Sequence, residues 1–250
     1  MRGVHYSLIS VGLLVLSASA YGSIIVSIPA TGNPWLAGMP DGSTSGTTYP
    51  IPYDSAPANS PAQYPATING GDVFTFIATG AVSHGSTLQG APLTGPAGAQ
   101  VPDGYGLEIV SRMSPNSNGS ENGIADITAP IDALIGVFLN NNEPSLSAPP
   151  PPLDFTTSAS RNFTTISPEL SQPFFIGTGE DSADILQQFV APAGATRLFF
   201  GMMDQYNWSD NVGSFQITAT DVTAISGSLP EPGSLALLSI GALGLIRRRR

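Results

Sequence analysis

Hydrophobic and polar positions alternate with a period of two along several short stretches of the chain. The alternation is plainest in Asp72-Val73-Phe74-Thr75-Phe76-Ile77 and in Phe215-Gln216-Ile217-Thr218-Ala219-Thr220. Such a period is that of a strand with one face buried. Arg197-Leu198-Phe199-Phe200 is apolar on both parities and reads as a strand covered on both sides. Strands are predicted over 23–28, 72–79, 107–113, 133–139, 174–176, 185–190, 196–202 and 214–222. No segment before residue 229 carries the 3.6-residue apolar period of a long amphipathic helix.

The intervals between these segments hold much of the 28 Gly and 23 Pro, without a repeating spacing. Short strands rich in Val, Ile, Phe and Thr between Gly/Pro turns predict an all-β fold. The pattern is that of a sandwich or a barrel. Residues 33–65 are poor in large apolar side chains and dense in Pro, Gly, Ser and Thr, so a long loop or weakly ordered arm is expected there. Pro149 to Pro152 favours a polyproline II excursion between strands.

The two ends depart from this pattern. Arg2, the apolar run Leu8 to Leu16 and the small-residue site Ala18-Ser19-Ala20 form a secretory signal peptide over residues 1–20. At the other end, Pro230-Glu231-Pro232 precedes an apolar run from Leu235 to Ile246 and then Arg247, Arg248, Arg249 and Arg250. The run is shorter than the ~20 residues of a comfortable span. Its terminal arginines orient it with that end on the cytoplasmic side. The expected organisation is a leader at 1–20, a sandwich domain with long Pro/Gly-rich loops at 21–228, and a short transmembrane tail at 229–250.

Composition narrows the function of the central domain. Cysteine and lysine are absent, so this exported domain holds itself by packing, hydrogen bonds or bound metal. Between the two ends only Arg112, Arg161 and Arg197 oppose 17 of the chain's 18 Asp and Glu, a formal charge of −14. That balance argues against nucleic acid and acidic lipid, which need clustered cations. It is compatible with calcium, with neutral sugars and with solubility in a polysaccharide layer. His84 is the only histidine outside the leader, and no phosphate loop, His-rich metal motif or cysteine nucleophile is present. The domain is therefore not expected to be an enzyme.

One loop does carry candidate chemistry. Asp204 and the pair Asp210-Asn211 flank Gln205 to Ser209 between two predicted strands. Calcium takes six to eight oxygens from carboxylates, amides and carbonyls, and such a loop can turn oxygens inward. The same residues also suit an ordinary turn, where Asp and Asn side chains bond nearby backbone.

Two resemblances bear on these residues. The order Pro-Glu-Pro, apolar run, arginine cluster resembles the PEP-CTERM sorting signal. That implies processing by exosortase near Pro230-Glu231-Pro232, transient inner-membrane contact, and delivery to the envelope, cell surface or extracellular matrix. Residues Gly71 to Gly80 with Ser83-His84-Gly85, together with Gly194 to Gly201, Asp204 and Asp210 to Phe215, resemble the calcium-dependent galactophilic lectins of the PA-IL type. The resemblance implies an antiparallel β-sandwich of galactose-binding-like or jelly-roll type, with Ca2+ held by the side chains of Asp204, Asp210 and Asn211. It adds the carbonyl of His84 and one carbonyl from the loop between. The positions that grip the sugar in those lectins fall on Val101 and Gly104, whose side chains cannot hydrogen-bond a hydroxyl. Tyr206 and Trp208 stand beside the loop, either to stack on a sugar face or to pack at its rim. The expectation is an exosortase-sorted protein that binds calcium and, weakly, a surface or matrix polysaccharide. The alternative is a structural matrix protein with no ligand.

Overall fold

The computed structural model describes residues 22–46, 54–85, 92–100, 108–111, 119–205 and 207–223. The leader and the tail with its apolar run lie outside these residues, as do Val101, Gly104 and Tyr206. No helix among the described residues is long and apolar enough to cross a membrane.

The alternating stretches form the long strands. They are β1 (Ile24–Pro29), β5 (Val73–Ser83), β8 (Leu134–Leu139), β13 (Arg197–Met202) and β14 (Val212–Asp221). Shorter strands complete the described fold: β2 (Thr44–Ser45), β3 (Asp54–Ser55), β4 (Ala62–Gln63), β6 (Ile109–Val110), β7 (Ile127–Pro130), β9 (Leu153–Asp154), β10 (Thr165–Ile166), β11 (Phe174–Phe175) and β12 (Gln188–Val190). One sheet runs β1-β14-β5-β12-β10 and another β11-β8-β13-β4. Within these two sheets every pairing is antiparallel except β10 with β12.

The two sheets meet through their aromatic residues. Phe76 of β5 meets Phe200 of β13 edge-on at 5.6 Å between centroids. Phe74 lies 6.2 Å from Phe138, and Phe174 lies 5.6 Å from Phe189. All six rings are buried. Each contributes roughly 1.5–3 kcal/mol of apolar burial, and the cross-sheet ring contacts fix how the layers face each other. This is the expected β-sandwich. The opposite face of the five-stranded sheet carries Ile25, Ile77, Ser27, Thr79 and Gln216, as the period of two requires.

Three expectations need correction. The stretch 33–65 is not a loose arm where it is described. Asn33 caps a 3-10 turn, Pro34–Leu36, and Trp35 and Leu36 are fully buried. Strands β2 and β3 pair with each other, and β4 pairs with β13. Ala37, Ala56 and Tyr64 are buried with them, so a few apolar side chains dock the segment although its average composition is polar. The strand expected over 185–190 begins only at Gln188, because Ile185 and Leu186 are exposed beside a turn with Asp184 at positive φ. Of the strand expected over 107–113, the described residues 108–111 carry only β6, and 107, 112 and 113 lie outside the described residues.

Candidate cation site

The site forms where four chain segments end together, and strand register brings them there. Val212 of β14 pairs with Ser83 of β5, which sets Asn211 beside His84. Met202 of β13 pairs with Leu134 of β8. One step further, the Asp132 amide donates to the Met203 carbonyl and the Met203 amide to the Ala133 carbonyl, both at 2.8 Å. Asp204 therefore emerges next to the β7–β8 turn. Asp132 holds that turn with a φ of 67°.

Asp204 is 5% exposed. Its Oδ1 accepts from the Gln205 amide at 2.5 Å. Its Oδ2 is buried and accepts no hydrogen bond among the described residues. Burial pushes the carboxyl up to about 7. The Gln205 amide and His84 pull against this rise and Asp132 adds to it; the Asn211 amide group lies close enough to lower it too, but its Nδ2 is directed to Ala30 and Met202 and makes no hydrogen bond to Asp204 Oδ2. Asn211 is equally buried. Its Nδ2 donates to the Ala30 carbonyl at 3.3 Å, and its Oδ1 has no donor among the described residues. Asp210 lies at the surface, where Asn207 Nδ2 donates to its Oδ1 at 2.9 Å. Partial desolvation raises its carboxyl and His84 opposes that.

His84 enters by its ring as well as by its place in the chain. Its Nδ1 sits 3.1 Å from Asp132 Oδ1. A carboxylate only accepts, so Nδ1 carries the proton in that contact. Thr94 Oγ1 donates to the other oxygen of Asp132. The structure places His84 within electrostatic reach of both Asp204 and Asp210, with Asn211 close to Asp204; all four were singled out in the sequence. It adds Asp132 and Thr94, which were not. The signal for Asp132 was a lone acid inside the apolar run Ala129 to Leu139.

Among the described residues no three His, Asp or Glu side chains form a metal-holding group by themselves. A cation here would draw on Asn211 and main-chain carbonyls as well, which is the donor set of calcium rather than of zinc. Two buried oxygens lacking donors, one carboxylate and one amide, fit such an ion.

Trp208 is a correction. Its ring is fully buried, 5.4 Å from Trp35, and its Nε1 donates to the Met202 carbonyl at 3.0 Å. A ring used for core packing has no face left for a sugar. The loop still has turn character: Ser209 Oγ donates to Asn207 Oδ1 at 2.7 Å and the Asn211 amide to the Trp208 carbonyl at 3.2 Å.

Comparison with known proteins locates the clearest functional signal outside the sandwich. Residues 228–250 match the PEP-CTERM protein-sorting motif. The PEP-CTERM tail marks the chain for export and for sorting through exosortase. Among solved structures, the chain is similar to a protein described as "EclA N-terminal domain; PllA-like lectin". The likeness has 14% identity and a TM-score of 0.34, and covers 80% of this chain and 97% of that one. A comparison with curated proteins gives no match.

Proposed function

We propose that the exported sandwich binds calcium at the joined ends of β5, β13 and β14 and serves in the envelope or exopolysaccharide matrix. The supporting observation is the buried pair of oxygens, Asp204 Oδ2 and Asn211 Oδ1, that lack hydrogen-bond donors among the described residues. Leaving such groups unpaired costs about 1–3 kcal/mol each, and more for a charge. A calcium ion would satisfy both, with Asp210 and the carbonyls of His84 and the 205–209 loop completing its shell.

A sugar would have to bind through open positions on that ion, because the Trp208 ring is in the core. That burial favours a second reading, in which the ion only staples the strand ends of a structural matrix domain. Glycan titration with and without chelator separates the two.

Calcium that binds only the folded state at 100 times its dissociation constant stabilises it by about 2.7 kcal/mol. The sandwich should therefore melt at a lower temperature after chelation and recover on adding calcium, with a calorimetric binding heat. An unchanged melt and no heat after exhaustive metal removal would overturn the reading.

A further inference from the structure

A third buried acid, after Asp204 and Asp132, sits behind the loop and touches it directly. Asp54, in β3, is fully buried. Its Oδ1 accepts from the Ser209 amide at 3.0 Å, and its Oδ2 from the Trp208 amide at 3.0 Å. Asn33 Nδ2 also donates to Oδ2 at 2.9 Å and to Ser45 Oγ at 3.1 Å. Ser45 Oγ in turn donates to Glu121 Oε2 at 2.8 Å. The chain of bonds runs from the loop into the β2–β3 hairpin and on to residue 121. Together these bonds fix the backbone at Trp208 and Ser209, directly before Asp210 and Asn211.

We infer that Asp54 is a positioning residue for calcium: it holds the 207–211 segment in its binding shape before the ion arrives. The inference rests on the calcium reading above. A carboxylate that accepts two consecutive loop amides removes the freedom an ion would otherwise have to suppress. Pre-ordering of this kind strengthens binding without adding a contact to the ligand. Partners one layer behind metal ligands typically change affinity by about 10–100-fold.

Asp54→Asn keeps the size of the side chain but turns an N–H toward one of the two loop amides. Calcium titration by calorimetry should show affinity weakened by about 10–100-fold in this variant. A core variant chosen for equal loss of stability, such as Ile127→Val or Ile127→Ala in β7, should retain the wild-type affinity. Should Asp54→Asn fail to fold, amide exchange in the metal-free wild-type protein decides the matter. The Trp208 and Ser209 amides should already be protected there. If they exchange as freely as exposed loop amides until calcium is added, the ion orders the loop and the inference fails. Equal calcium affinity in Asp54→Asn and wild type also overturns it while leaving the calcium site standing. Absence of calcium binding in the wild type overturns both.

Discussion

Asp204 concentrates the energetics of the candidate site in one side chain. Its folded-state carboxyl titrates at about 7, raised from an ordinary value of 3.8 by burial. The folded state therefore holds this proton more tightly than the unfolded chain does. Its contribution to stability is complete below about pH 4 and is lost as pH rises through 7. At 1.36 kcal/mol per unit, the loss is roughly 4 kcal/mol in the metal-free protein. Calcium needs the ionised form, so its affinity should fall about tenfold for each unit below pH 7. Urea unfolding of the metal-free domain at pH 4.5, 6 and 7.5 should show stability declining across the series. Added calcium should reverse the decline at pH 7.5. Asp204→Asn should flatten this component of the slope and abolish the calcium response. A wild-type domain whose stability is level across the range would show that this carboxyl is not held neutral by burial.

At the scale of elements, the site depends on how β5 and β14 finish. Each strand contains a glycine in the left-handed region near the site: Gly80 at φ 97° and Gly213 at φ 91°. A Cβ on Gly80 would lie 2.4 Å from the Ser214 carbonyl oxygen, and one on Gly213 2.3 Å from that of Ala81. Backbone opposes backbone at both places, so neither clash is relieved by rotating a side chain. Gly80→Ala should destabilise the domain by about 2 kcal/mol or more, from dihedral strain together with the forced shift of β14. The same shift displaces Asn211 relative to His84, so calcium affinity should fall with stability. Denaturant unfolding and calcium titration of Gly80→Ala check both. A variant as stable as wild type would mean that the paired strand ends yield more easily than their contacts imply.

For the whole molecule, folding and delivery are separate physical tasks carried by separate segments. The sandwich buries its aromatic residues between two sheets, whereas the PEP-CTERM tail carries an apolar run and four arginines. The arginines should oppose translocation of their end and hold the tail at the cytoplasmic face until it is processed. Replacing Arg247 to Arg250 with glutamine should leave uncut precursor or send it to the wrong place. The fold of the sandwich should be unchanged. Immunoblotting of membrane, surface and medium fractions reads the first effect, and circular dichroism of the purified domain the second. Normal trimming and delivery would count against the role given to the arginines. The net negative charge of the central domain favours its solubility.

Much of this protein could be read from local pattern. The period-two alternation of Phe74, Phe76, Phe215 and Ile217 predicted paired strands because one buried face imposes it on neighbouring residues. The tail was legible for the same reason: Pro-Glu-Pro, apolar run and arginines are contiguous, and their order is the signal. Asp204, Asp210 and Asn211 stood out because they flank one short loop. What the sequence could not decide was which way side chains point once distant segments meet. Trp208 lies beside the candidate ligands along the chain but packs on Trp35, 173 residues away. Asp132 and Asp54 reach the site only through the register of β8 on β13 and the docking of β3 behind the loop. Local composition made residues 33–65 look loose, and the burial of Trp35 reversed that. Pairing register and core packing are long-range properties, set by cooperative contacts between segments, and only the tertiary structure fixes them.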